Sequence, residues 1–240
     1  MVGAYAPPEP NPFPPMARGD FAGDKKVGQP LLHGPERAFV AWGTPRVPRW
    51  LATHHLTLLT LVWSALNALF GVLARDDLRW FWMISLMIVL QYVTDLFDGA
   101  VGRARGTGLV KWGFYMDHFV DFIFLGSLVL AGYLVAPPGV GHWFVVLLTL
   151  TGAFMVSSFL HFAATNRFEI YVHGFGPTET RLVIIAVNTV IILTGTDHFR
   201  WTVPVVCAAC LVALVVVVRR ASNELWAIDM AAKATKAAAD

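Results

Sequence analysis

The chain is poor in charge. Of its 240 residues only 14% are Asp, Glu, Lys or Arg, against about 25% in an ordinary soluble domain. Hydrophobic residues make up 56%, and mean hydropathy is +0.59. So few charges cannot cover so much apolar surface in water, which excludes a soluble globular fold. Cysteine is nearly absent, with Cys207 and Cys210 the only two. Their CxxC spacing has the form of a redox or metal pair, but the flanks, PVVCAACLVAL, are those of a lipid-embedded helix. Both are therefore read as small packing residues. Net charge is only +2, too weak an excess to serve nucleic acid. The chain has no GxSxG or zinc-ligand motif and no internal repeat. Its N-terminus lacks the basic stretch and apolar run of a secretory signal.

What is present is a series of six apolar stretches, at 51–74, 78–100, 113–136, 141–165, 178–196 and 200–220. Each approaches the roughly 20 residues that a helix needs to cross ~30 Å of hydrocarbon. The expected fold is all-α: a polytopic membrane protein with a six-transmembrane-helix bundle over residues 51–220. Ahead of it lies an arm, 1–30, holding seven of the fourteen prolines and expected to be disordered. Residues 31–50 mix Arg37, Arg46 and Arg49 with Phe39, Trp42 and Trp50, as an interfacial segment or a plain linker would. The Ala/Lys-rich tail, 221–240, reads as a frayed cytoplasmic helix. Lys and Arg divide fifteen to three between the two sides of such a bundle. That bias puts both termini and the loop around Arg103, Arg105 and Lys111 in the cytoplasm.

Acidic residues are scarce inside these stretches, yet four gather around that loop, in DLFDGAVGRARGTGLVKWGFYMDHFVDF. Asp95 and Asp98 are spaced i, i+3; Asp117 and Asp121 are spaced i, i+4. Each pair shares one helix face, and a short connection makes the two helices antiparallel, so the acidic faces can meet. A carboxylate at the centre of a bilayer helix costs roughly 2.5–3.5 kcal/mol on an insertion scale, and four together also repel. A divalent cation converts that repulsion into shared coordination. Hard oxygen ligands favour Mg²⁺, Mn²⁺ or Ca²⁺, and four carboxylates can hold two ions about 4 Å apart, as phosphoryl-transfer sites do. The alternatives are four acids snorkelling at a helix end, or the ion site of a cation transporter. Transporter sites lie nearer the midplane between repeated halves, which this chain lacks. Gly99, Gly102, Gly106, Gly108 and Gly113 allow close ligand approach, and Arg103, Arg105 and Lys111 supply charge for phosphate.

The pattern Asp95-x-x-Asp98-Gly99-x-x-Gly102-Arg103, nine residues, then Gly113-x-x-x-Asp117-x-x-x-Asp121 resembles the signature of the CDP-alcohol phosphotransferase family. That signature has Ala where Gly102 stands, and a spacer one residue shorter. Trp50-Leu-Ala-Thr-His-His-Leu-Thr57 is similar to the family's W-x-A-P-N-x-x-T, with Thr53 and His54 in place of Pro and Asn. Gly176-Pro177-Thr178-Glu179 and the Asp117-His118 pair resemble the choline/ethanolamine branch.

The resemblance implies a six-helix bundle, usually a homodimer among membrane lipids, with its site open to cytoplasm and lipid. It implies transfer of a phospho-alcohol from a CDP-alcohol to an acceptor hydroxyl, with release of CMP and use of Mg²⁺ or Mn²⁺, as two ions. Asp95, Asp98, Asp117 and Asp121 would hold the metals; Thr57, Gly99, Gly102, Arg103 and Gly113 would border CDP. Asp121 is the family's usual candidate for the base, and His118 is its rival, because imidazole titrates nearest neutrality. His54, Arg105, Lys111, Glu179 and Arg181 are candidate substrate contacts. The branch features favour CDP-choline or CDP-ethanolamine with a diacylglycerol-like acceptor. The alternative is CDP-diacylglycerol with inositol, glycerol phosphate or serine.

Overall fold

A computed structural model describes residues 33–107, 109–165 and 177–239. The arm expected over 1–30 lies outside the described residues, as do Gly108, Gly176 and His173. The described chain is helical, with α1 (His33–Gly43), α2 (Thr53–Leu73), α3 (Phe81–Arg105), α4 (Val110–Leu134), α5 (Gly141–Thr165), α6 (Pro177–Thr194) and α7 (Phe199–Ala239). Short 3₁₀ turns, Thr44–Arg46 and Leu78–Trp80, precede α2 and α3.

The bundle is built inside-out relative to a soluble one. The buried residues of α2 include Thr53, Thr57, Thr60, Ser64, Asn67 and Gly71, whose alternating spacing of four and three keeps them on one face. Leu58, Leu61, Val62, Leu69 and Val72 are exposed, as suits lipid. With apolar solvent outside, helices associate through close backbone approach and interhelical hydrogen bonds. Both occur along this seam. Asn67 Nδ2 donates to Ser127 Oγ of α4 at 3.2 Å, and a Cβ at Gly71 would lie 2.8 Å from Ala131 Cα. Asn188 of α6 donates to Ser85 of α3 at 3.0 Å. At the other end from the acidic residues, Phe81, Ile84, Ala131, Phe144, Phe199 and Cys207 form the main apolar cluster. Both cysteines are free thiols.

Among the described residues, five helical stretches are long and apolar enough to cross a membrane: Thr53–Leu73, Leu78–Arg105, Val110–Leu134, Gly141–Thr165 and Phe199–Ala237. The sixth expected span, α6, sits beside α3 but falls short of that standard. Its 18 residues reach about 27 Å, and its first turn carries Thr178, Glu179 and Arg181. The tail also differs from expectation. It continues α7 without a break to Ala239, because no Gly or Pro follows Pro204 to interrupt the helix. His161 Nε2 of α5 lies 3.1 Å from Glu224 Oε2 on this extension.

Candidate active site

The helix that carries the first acidic pair ends sharply. Gly106 adopts φ 59°, and its N–H reaches Arg103 O while Thr107 N–H reaches Gly102 O. This left-handed cap satisfies the last carbonyls of α3 and turns the chain back into α4 within a few residues. The two acidic faces thereby meet at one end of the bundle. Carboxylate oxygens of Asp95, Asp117 and Asp121 all lie within 4.8 Å of one another.

Asp98 points elsewhere. Its Oδ2 accepts from Thr57 Oγ1 at 2.8 Å, and its Oδ1 takes the N–H of Gly99. Asp98 is 8% exposed, so these two donors replace water for a nearly buried carboxylate. Thr57, expected beside CDP, serves Asp98 here.

A cation does face the cluster. Arg181 Nη2 of α6 donates to Asp95 Oδ2 at 2.9 Å, and Arg181 Nε donates to Gln91 Oε1 at 3.0 Å. Gln91 Nε2 donates to Asp121 Oδ1 at 3.0 Å. The guanidinium lies over the Tyr92 ring, 5.3 Å from its centroid. Tyr92 and Thr178 both donate to Glu36 Oε1 of α1, at 2.6 and 2.7 Å. Sequence reasoning treated Arg181 as a substrate contact and passed over Gln91, Tyr92 and Glu36. Gln91 was findable, as an amide inside an apolar span one helical turn before Asp95.

One guanidinium cannot neutralise three carboxylates. The donor set is hard oxygen alone, drawn from two helices and inside hydrogen-bond-to-coordination reach, so these residues fit a divalent cation.

His118 leaves the acidic face for a groove between α4 and α5. That groove, of about 560 Å³, is lined by Phe114, Tyr115, His118, Phe119, Phe122, Gly152, Met155, Val156, Phe159, Phe162 and Ala163. Nδ1 of His118 lies 2.6 Å from Phe114 O. A carbonyl only accepts, so Nδ1 carries a proton.

The remaining candidates spread around this centre. Gly102 packs on Thr53, where a Cβ would meet Oγ1 at 3.0 Å. The exposed Arg103 folds back over Gly99, where a Cβ would meet Nη1 at 3.2 Å. Gly113 opens on free space. Arg105 does not approach the cluster; it donates to Val47 O, Pro48 O and Leu51 O and so clamps the chain before α2. The ring of His54 lies against that of His55, centroids 4.1 Å apart and tilted by 56°. Lys111 is exposed on the first turn of α4, and Glu179 is half-buried on the first turn of α6.

A sequence model of the CDP-alcohol phosphatidyltransferase family matches residues 47–219, a range that contains all four aspartates. The chain belongs to the CDP-alcohol phosphatidyltransferase family. No curated protein matches it. Membership makes the chain a multi-pass membrane transferase of phospholipid synthesis that works on a CDP-alcohol, and it sets aside the transporter alternative. The acidic cluster accords with the divalent-metal use of the family.

Proposed function

We propose that the protein transfers a phospho-alcohol from CDP-choline or CDP-ethanolamine to a diacylglycerol-like lipid, releasing CMP. Residues 51–220 are the catalytic unit, α1 lies on the membrane surface, and site and termini face the cytoplasm. The carrying observation is that His118, next in sequence to Asp117, lines the apolar groove between α4 and α5. A lipid lying there brings its own hydroxyl to a basic nitrogen, which is the place of an acceptor rather than of a donor.

Asp95, Asp117 and Asp121 would hold Mg²⁺ or Mn²⁺, with Asp98 as the further carboxylate of the set. Bound ions would neutralise the diphosphate and the departing CMP. Gly99, Arg103 and Gly113 border the nucleotide. The acceptor oxygen attacks the phosphorus that bears the alcohol, the bond to the CMP oxygen breaks, and the acceptor proton passes to Nε2 of His118. The Phe-rich groove excludes water, which would otherwise compete as the acceptor. The second reading keeps Asp121 as base, favoured by its place in the cluster beside Asp117. Association as a homodimer follows from the family resemblance.

The test is CMP release by purified protein with paired substrates. CMP should form from CDP-choline or CDP-ethanolamine with diacylglycerol. Release only from CDP-diacylglycerol with inositol, glycerol phosphate or serine would reverse the roles of lipid and small alcohol.

A further inference from the structure

We infer that Gln91 and Arg181 are positioning residues that set the spacing of the metal-binding carboxylates, a claim that rests on the metal reading above. Asp95 and Asp121 stand on different helices, α3 and α4. Nothing in the backbone of either helix fixes how far apart two mutually repelling side chains sit. A continuous chain of hydrogen bonds does. It runs from Asp95 Oδ2 to Arg181 Nη2 at 2.9 Å, from Arg181 Nε to Gln91 Oε1 at 3.0 Å, and from Gln91 Nε2 to Asp121 Oδ1 at 3.0 Å.

The chemistry of the partners leaves one arrangement. Guanidinium Nε–H only donates and a carboxylate only accepts, so the Gln91 amide must turn its oxygen to Arg181 and its NH₂ to Asp121. Gln91 is 1% exposed, so water cannot substitute for either bond. The Arg181 fork uses two different N–H groups at once, which an ammonium on a flexible stem cannot reproduce. The fork is itself seated: its face rests on Tyr92, whose hydroxyl is held by Glu36. Glu36 lies on α1, before the residues 47–219 that the family model covers. An element outside that range therefore braces the acidic site through Tyr92 and Arg181.

Each carboxylate in the path gives one oxygen to the bridge. Outer hydrogen bonds of this kind orient metal ligands, and their loss typically weakens metal binding about 10–100-fold. The experiment is Mn²⁺ titration of metal-free protein, read by electron paramagnetic resonance without substrate, on the parent, Gln91→Met and Arg181→Lys. Gln91→Met keeps the volume and removes both amide bonds. Arg181→Lys keeps the charge, so a loss there reports geometry, and it carries the test if Gln91→Met does not fold. Circular dichroism establishes folding. The expected result is Mn²⁺ binding by the parent and at least tenfold weaker binding by each folded variant. Parent and folded variants that bind Mn²⁺ within twofold of one another would overturn the bridge. A parent that binds no Mn²⁺ would instead overturn the metal reading beneath it.

Discussion

Thr53 and Gly102 show how two departures from a family signature can be one. The resemblance has Pro and Ala at these positions. Here a Cβ on residue 102 would stand 3.0 Å from Thr53 Oγ1 and 3.4 Å from its Cγ2, so glycine at one site makes room for threonine at the other. Gly102→Ala alone should crowd Thr53, a cost that alanine's helix preference of about 1 kcal/mol over glycine partly offsets. Adding Thr53→Ala should relieve the crowding, a coupling that thermal melts of the four-protein cycle would measure; strictly additive changes would show that the positions are independent. Thr57 makes a second argument at this scale. Thr57→Val keeps the shape and removes the donor to Asp98, leaving a buried carboxylate one hydrogen bond short, a loss of about 1–3 kcal/mol. Thr57→Ser should retain both stability and activity, and equal losses in the two variants would contradict the role given to the hydroxyl. For the base, His118→Ala should lower turnover more than it changes Mn²⁺ affinity, whereas Asp121→Asn should weaken Mn²⁺ binding outright. Intact metal binding with abolished turnover in Asp121→Asn would make Asp121 the base.

At the scale of elements, the small-polar seam of α2 sets how closely α2 and α4 approach and so how the acidic faces meet. Ser127→Ala deletes the partner of Asn67, and a hydrogen bond between membrane helices is worth about 0.6–1.7 kcal/mol. The unfolding midpoint in detergent should fall accordingly. Gly71→Leu should do far more, since the nearest neighbour is the backbone of Ala131, which cannot rotate away; an unchanged midpoint would show that the helices do not pack this closely. The helices themselves were legible in the sequence, because long apolar runs between charged loops have few other solutions. The limits of α6 and α7 were less so. The polar first turn of α6 shortens its apolar part, and the tail reads as frayed until His161 is found beside Glu224. The acidic pairs were legible from spacing alone. Which carboxylates cluster was not, because that depends on Thr57 and on Arg181, 41 and 86 residues away in sequence from the aspartates they bind.

For the whole molecule, the fifteen-to-three division of Lys and Arg is the basis of the proposed orientation, and exposed loop residues can report it. Gly106 and Gly139 hold left-handed backbone, with φ 59° and 84°, so a cysteine there would be strained. Thr107 and Pro138 are exposed and flank α4 at its two ends. In a background without Cys207 and Cys210, single cysteines at 107 and 138 should label from opposite sides of the membrane, with 107 cytoplasmic; labelling from one side would contradict the topology. Cys207 packs among Phe144 and Phe199, and replacing it with Ala should lower stability and leave turnover intact.

In the proposed reaction the carboxylates at the α3–α4 end form a divalent-cation site that carries transfer from a CDP-alcohol. The most direct measurement is CMP release by the purified protein, from a CDP-alcohol with its acceptor, before and after chelation. Activity should vanish in EDTA and return with Mg²⁺ or Mn²⁺, and Asp117→Asn should not recover at any metal concentration, because the cation carries much of the charge stabilisation. CMP release that survives chelation, or that proceeds at the parent rate in Asp117→Asn, would show that the acidic cluster is not the catalytic centre.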